Sequence, residues 1–269
     1  MTTNLVTITD PTSPAAEAYR RLRVNLVASG QETPFHTLLI AAAGPDADKA
    51  STVANLAVTF ARVGKRVILV DCDLRHPGQH TLFGLDNRAG VTTAVRAPLP
   101  PNAGGLSSPK DREARGPDSP QDREARGPDS PQDREARGPD SPQDWGAGGA
   151  ATLPLQATDV PGLRILTSGP EVEVPSDLIA SPAMTSLIAR LRDDADVVLF
   201  DAPPVVLATD AAELATLVDG VLLTVSAGHT RRDDAQRAVD LLGKVGARLV
   251  GAALVNAPAD AELRKYLAA

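Results

Sequence analysis

The sequence predicts an α/β fold, a parallel sheet sandwiched by helices, and three observations predict it. Short, wholly apolar runs such as Val67-Ile68-Leu69-Val70 and Val197-Val198-Leu199-Phe200 read as strands buried on both faces. Segments with helical periodicity alternate with those runs, the pattern of a sheet covered on both sides. Acids, Asp71 and Asp201, follow two of the runs directly, at the carboxyl edge where open α/β sheets place ligands.

The elements follow in order. Ser13-Pro14 opens a helix over 15–26, because serine accepts from orphan amides and proline suits the first helical position. A strand is expected over 37–42. A helix over 50–63 follows, with Val53, Leu56, Phe60 and Val63 on one face and Gly64 as its stop. Residues 66–71 form the second strand. Later strands are expected at 163–167, 197–201, 220–225 and 248–255, with helices at 182–192, 210–217 and 231–245 between them.

The middle of the chain breaks this alternation. Residues 111–143 are three tandem copies of Asp-Arg-Glu-Ala-Arg-Gly-Pro-Asp-Ser-Pro-Gln. A right-handed coiled coil also has an eleven-residue period, but each copy carries a Gly-Pro pair, a second proline and no apolar stripe. With three acids and two arginines per copy, the segment cannot bury a core. Flanking prolines and glycines extend the expected disordered insert to 97–152. Residues 1–96 and 153–269 are expected to form one domain around it, since loop closure cost rises slowly with length.

The net charge of −7 argues against a broad basic surface for nucleic acid. Cys72 is the only cysteine, which excludes an internal disulfide or a multi-cysteine metal site. No apolar run approaches the ~20 residues of a membrane helix, so no membrane span is expected.

Three segments are expected to meet at the carboxyl edge of the sheet. The first runs from Ala43 to Thr52. A phosphate-binding loop reads G-x-x-x-x-G-K-[ST], with glycines that let amides wrap the phosphates, a lysine for the β/γ oxygens and a hydroxyl for magnesium. Here Lys49 is present, but the glycine positions hold Ala43 and Asp48, and the hydroxyl position holds Ala50. The second segment is Val70-Asp71-Cys72-Asp73, whose two acids point the same way in extended chain. The third is Leu199-Phe200-Asp201-Ala202-Pro203-Pro204. An acid so placed commonly serves the metal in phosphoryl transfer. Each acid alone is more often a cap or an ion-pair partner.

These segments, taken with Glu17-Ala18-Tyr19-Arg20-Arg21-Leu22-Arg23, Ala54-Asn55-Leu56-Ala57, Leu74-Arg75-His76-Pro77, Leu166-Thr167-Ser168-Gly169-Pro170 and Pro175-Ser176-Asp177-Leu178, resemble the cytoplasmic domain of the bacterial tyrosine kinases of capsule and exopolysaccharide synthesis. The resemblance spans about 13–256, apart from the insert. It implies a P-loop NTPase architecture related to MinD and ParA, with ATP and Mg2+ as cofactors and phosphoryl transfer to protein tyrosine. Lys49 would bind phosphate. Asp71 and Asp73 would serve the metal and the tyrosine hydroxyl, and Asp201 the metal. Asn256 would lie near the nucleotide base. Glu17, Arg20 and Arg23 match the E-x-x-R-x-x-R pattern used for ring-like homo-oligomers. The resemblance also implies a cytoplasmic protein recruited to the membrane by an adaptor of the polysaccharide co-polymerase type.

Two departures bear on activity. Relatives read near P-G-x-G-K-[ST]-[ST], whereas this chain has Pro45-Asp46-Ala47-Asp48-Lys49-Ala50-Ser51. Asp48 is expected to oppose the anion and to require strained dihedrals. Ser51 is the next hydroxyl along, although one residue turns a helix by about 100°. The terminal tyrosine cluster of relatives is reduced to Tyr266. The expected function is therefore a weakened tyrosine autokinase. The alternatives are a non-catalytic oligomeric regulator and, further off, a partition- or division-type ATPase.

Overall fold

The computed structural model describes residues 5–30, 34–45, 48–97 and 152–258. Residues 1–97 and 152–269 group as one unit and 98–151 as another. The expected repeat insert, but for its end residues, lies outside the described residues, as do Asp46, Ala47 and Tyr266.

Seven strands form one sheet: β1 (Thr37–Ala42), β2 (Val67–Asp71), β3 (Gln156–Ala157), β4 (Leu163–Leu166), β5 (Val197–Ala202), β6 (Gly220–Ser226) and β7 (Leu249–Val255). Their spatial order is β3-β4-β2-β5-β1-β6-β7. All pairings are parallel except β3 with β4. Alternate residues of one strand enter opposite cores. Leu39, Ile68, Val70, Val198 and Phe200 join one cluster, while Leu38, Ile40, Val67, Leu69 and Leu199 join the other. Burial on both faces removes the polar alternation of a half-solvated sheet, hence the unbroken apolar runs.

The first core is closed by α5 (Val91–Arg96), α6 (Pro175–Ile179), α7 (Pro182–Asp194), α8 (Asp210–Ala215) and α9 (Arg232–Lys244). The second is closed by α1 (Val6–Thr9), α2 (Pro14–Ser29) and α3 (Lys49–Ala61), with α4 (Gln79–Phe83) at its margin. Local chemistry sets the helix ends. Ser13 caps α2 by accepting from the Ala16 amide at 3.2 Å, and Ser181 caps α7 by accepting from the Met184 amide at 3.3 Å. Each cap precedes a proline at the first helical position. Beyond α3, Gly64 takes φ +79°, a left-handed conformation that glycine adopts without a Cβ penalty.

One expected strand departs from burial on both faces. β7 is an outermost strand, and only Ala253 of its residues is buried, while Leu254 is 63% exposed. Asn55 is structural: its Oδ1 accepts from the amide (3.0 Å) and hydroxyl (2.8 Å) of Thr7, tying α1 to α3. Gly90 marks a close approach, since a Cβ there would lie 2.0 Å from the carbonyl oxygen of Thr167. That contact seats α5 against the end of β4.

Candidate active site

The β2-β5-β1 order brings the three segments together. Asp71 ends β2 and stands in register with Asp201 on β5. The Cys72 amide donates to the Asp201 carbonyl at 2.8 Å, which carries the pairing one step past β2 and leaves Asp73 at the strand's exit. β1, the other neighbour of β5, leads into the loop before α3, and Lys49 is the first residue of that helix. All four side chains are almost fully buried.

Lys49 Nζ donates to Asp201 Oδ1 at 2.5 Å and to Asp73 Oδ2 at 3.0 Å. Burial alone lowers the pKa of its ammonium, but Asp201 and then Asp73 outweigh that and raise it, so Lys49 stays charged. The second oxygen of Asp201, Oδ2, accepts from Gln79 Nε2 at 2.8 Å. Burial pushes the Asp201 carboxyl up, and the contacts to Lys49 and Gln79 pull it back. Asp71 is held differently. Its Oδ2 accepts from the backbone amides of Gly78 (3.0 Å) and Gln79 (2.9 Å), while its Oδ1 is buried without a partner. Burial first, and then the charge of Asp201, push its carboxyl to about 7.

That shift has a consequence for stability. A folded-state pKa raised above the unfolded value of about 3.9 means that the native state binds the extra proton. The stabilisation is complete below about pH 4 and is lost as pH rises through about 7. Asp71→Asn, which mimics the protonated form, is expected to raise the melting temperature at pH 8 and change it little at pH 5, without divalent cations. Equal shifts at the two pH values would refute this assignment.

The other candidates lie in separate places. Ser51 is half-buried and its hydroxyl donates back to the Asp48 carbonyl at 2.8 Å. Asn256, just past β7 at φ +58°, donates from Nδ2 to Asp48 Oδ2 and to Ser226 Oγ, both at 2.9 Å. Asp48 itself has φ −98° and ψ 2°. The expected dihedral strain is therefore absent, because a side chain at this position keeps a negative φ. Glu17, Arg20 and Arg23 lie on α2. Glu17 pairs with Arg20 at 2.7 Å, Arg20 also donates to the Pro11 carbonyl at 2.8 Å, and Arg23 Nε is buried without a partner.

Gln79 is the residue of this site that sequence reasoning missed. A glutamine after Pro77-Gly78 carries no motif signal, and only the return of the chain past β2 brings it to Asp201. Arg75 adds a second link. It forms a two-pronged pair with fully buried Asp210 (3.0 and 3.1 Å), which fixes the loop after β2 against α8.

Magnesium is the cation the resemblance implies. Such an ion takes one or two carboxylates together with phosphate and water. Asp71 and Asp201 in register, with the orphaned Asp71 Oδ1, suit that requirement, whereas Ala50 offers no hydroxyl. Among the described residues no group of three or more His, Cys, Asp or Glu is placed to hold a metal without such added ligands.

No protein-family profile matches the chain. Individual relatives do. The chain is 29% identical to the tyrosine-protein kinase YwqD of Bacillus subtilis (strain 168), over 94% of this chain and 85% of that protein. It is 27% identical to the putative tyrosine-protein kinase CapB of Staphylococcus aureus, over 95% of this chain and 90% of that one. The crystal structure of the chimerical protein CapA2B2 superposes with a TM-score of 0.71 at 25% identity, covering 96% of this chain and 92% of that chain. The motif order, the three-segment acid corner and these likenesses make the chain similar to the bacterial tyrosine kinases along nearly its whole length.

Proposed function

We propose that this chain is an ATP-dependent protein-tyrosine autokinase of capsule or exopolysaccharide assembly, with turnover lowered by its altered phosphate loop. The observation that carries the reading is the convergence of Lys49 with Asp73 and Asp201 at the carboxyl edge of the sheet, flanked by Asp71. The names of YwqD and CapB point the same way. ATP and Mg2+ are the cofactors of this reading, and Asp71 and Asp201 would hold the cation, which neutralises charge on the transferring phosphoryl group.

The chain's own residues divide the remaining work. Among the described residues Lys49 carries the only ammonium in the corner, and leaving Asp73 and Asp201 for a phosphate oxygen would place it as an electrostatic clamp. Asp73, at the exit of β2, accepts the proton of the incoming tyrosine hydroxyl. Asp71 lies beside it as a ligand of that cation, whose charge would keep its carboxylate ionised. Asn256 stands at the rim, where a nucleobase would meet it.

Glu17, Arg20 and Arg23 form the self-association surface in this reading. Changing Arg20 and Arg23 together to alanine is expected to shift an oligomer to monomer in size-exclusion chromatography with light scattering. An unaltered mass would remove this role. Among the described residues no helix is long and apolar enough to cross a membrane. Membrane recruitment in this reading comes from an adaptor, with residues 97–152 as an insert in a single kinase domain.

Incubation with Mg-ATP, followed by mass spectrometry of tyrosine phosphate on the chain and on a tyrosine polymer, tests the central claim. Slow transfer that is abolished in Asp73→Asn supports it. ADP binding without any transfer would favour a non-catalytic regulator instead, a reading supported by the aspartate-asparagine contact across the loop and the missing hydroxyl at Ala50.

A further inference from the structure

One residue touches every part of the acid corner that a cation would use. Gln79 is fully buried and opens α4. Its backbone amide donates to Asp71 Oδ2 at 2.9 Å. Its side-chain Nε2 donates to Asp201 Oδ2 at 2.8 Å and to the Ala50 carbonyl at 3.0 Å. Two acceptors on either side of one nitrogen fix the amide's orientation, since a flipped oxygen would face two oxygens. The approach to Ala50 is close: a Cβ on Gly78 would lie 3.2 Å from the Ala50 Cβ. Ala50 is also the position where a phosphate loop carries its magnesium-binding hydroxyl.

A hydrated divalent cation meets such an acid through a bound water, whose O–H···O distance is about 2.7–2.8 Å. Gln79 Nε2 already donates at that distance. Lys49 holds the other oxygen of Asp201, and the residue is only 1% exposed, so no solvent-filled space remains beside it. Lys49 adds a full positive charge on the same carboxylate, while Gln79 Oε1 is buried without a partner. An amide bridging Asp201 and the residue-50 carbonyl is a neutral substitute for the metal's water shell.

We propose that Gln79 sets the metal dependence of this site. Its amide takes the place of the magnesium-bound water on Asp201, so the acid corner excludes divalent cations until Gln79 moves away. The proposal rests on reading Asp201 as the acid of a phosphoryl-transfer site. Gln79 is a positioning residue here, acting through Asp201.

The test uses Mn2+ alone as the probe, with free ion followed by electron paramagnetic resonance in the wild type, Gln79→Met and Gln79→Glu. Methionine keeps the length without a donor, and glutamate keeps the shape while replacing the donor with an oxygen. Both variants are expected to bind Mn2+ at least tenfold more tightly than the wild type, glutamate the more so, with a melting temperature that Mn2+ raises only in the variants. Wild-type binding within threefold of both variants would overturn the proposal. Circular dichroism reports folding, and if the buried glutamate unfolds the chain, methionine decides alone. ADP titration of the wild type in EDTA reads the nucleotide site separately, so failure of the gate and failure of the proposed function give different results.

Discussion

Lys49→Met is expected to lower the unfolding free energy by about 3–5 kcal/mol, the usual result of removing one partner from a buried ion pair. Lys49 is 4% exposed and serves two carboxylates that are themselves 4% and 1% exposed. Neither Asp73 nor Asp201 has solvent to replace the ammonium. For a chain of this size that loss corresponds to a melting temperature about 6–20 °C lower. The sign of its pH dependence is fixed as well. With the cation gone, the carboxylates gain by taking up protons, so the deficit should shrink from pH 8 to pH 5. Thermal unfolding followed by circular dichroism at both pH values checks this. A drop below about 3 °C at pH 8 would show that the acids have another counter-ion.

The double change Asp48→Gly with Ala50→Ser is expected to tighten Mg-ADP binding by more than tenfold in a calorimetric titration. Two like charges about 4 Å apart cost on the order of 4 kcal/mol at a near-surface effective dielectric, and even half of that exceeds a factor of ten. Asp48 lies immediately before the phosphate-loop lysine, and its carboxylate accepts from Asn256 at 2.9 Å. Its backbone is unstrained, so the gain should come from charge and from release of this contact rather than from dihedral relief. Asp48→Asn separates the two sources, because it removes the charge and keeps the side chain. Unchanged affinity in the double variant would mean that the loop is not what limits nucleotide binding.

The sheet was legible because burial on both faces writes itself as short apolar runs, and six strands were expected close to where they lie. The seventh, Gln156–Ala157, is two residues long and has no period to detect. The short helices Val6–Thr9, Gln79–Phe83, Val91–Arg96 and Pro175–Ile179 were equally silent, since four to six residues make fewer than two turns. At the site, Lys49, Asp71, Asp73 and Asp201 were visible as residues following strands. Their pairing was not, because the contact of Lys49 with Asp201 joins positions 152 residues apart. Gln79 and the Asp48-Asn256 contact belong wholly to tertiary structure.

The insertion of β5 between β2 and β1 has a consequence for the newborn chain. The first two long strands leave the ribosome early but cannot pair with each other. Their shared neighbour begins at Val197, 155 residues after β1 ends at Ala42. At about 5–20 residues per second, the unpaired edges wait about 8–30 s. The three tandem copies at 111–143 sit inside that interval, and deleting their thirty-three residues would shorten it by about 2–7 s. The length of the repeat therefore sets part of the interval during which these two strands wait for their shared neighbour.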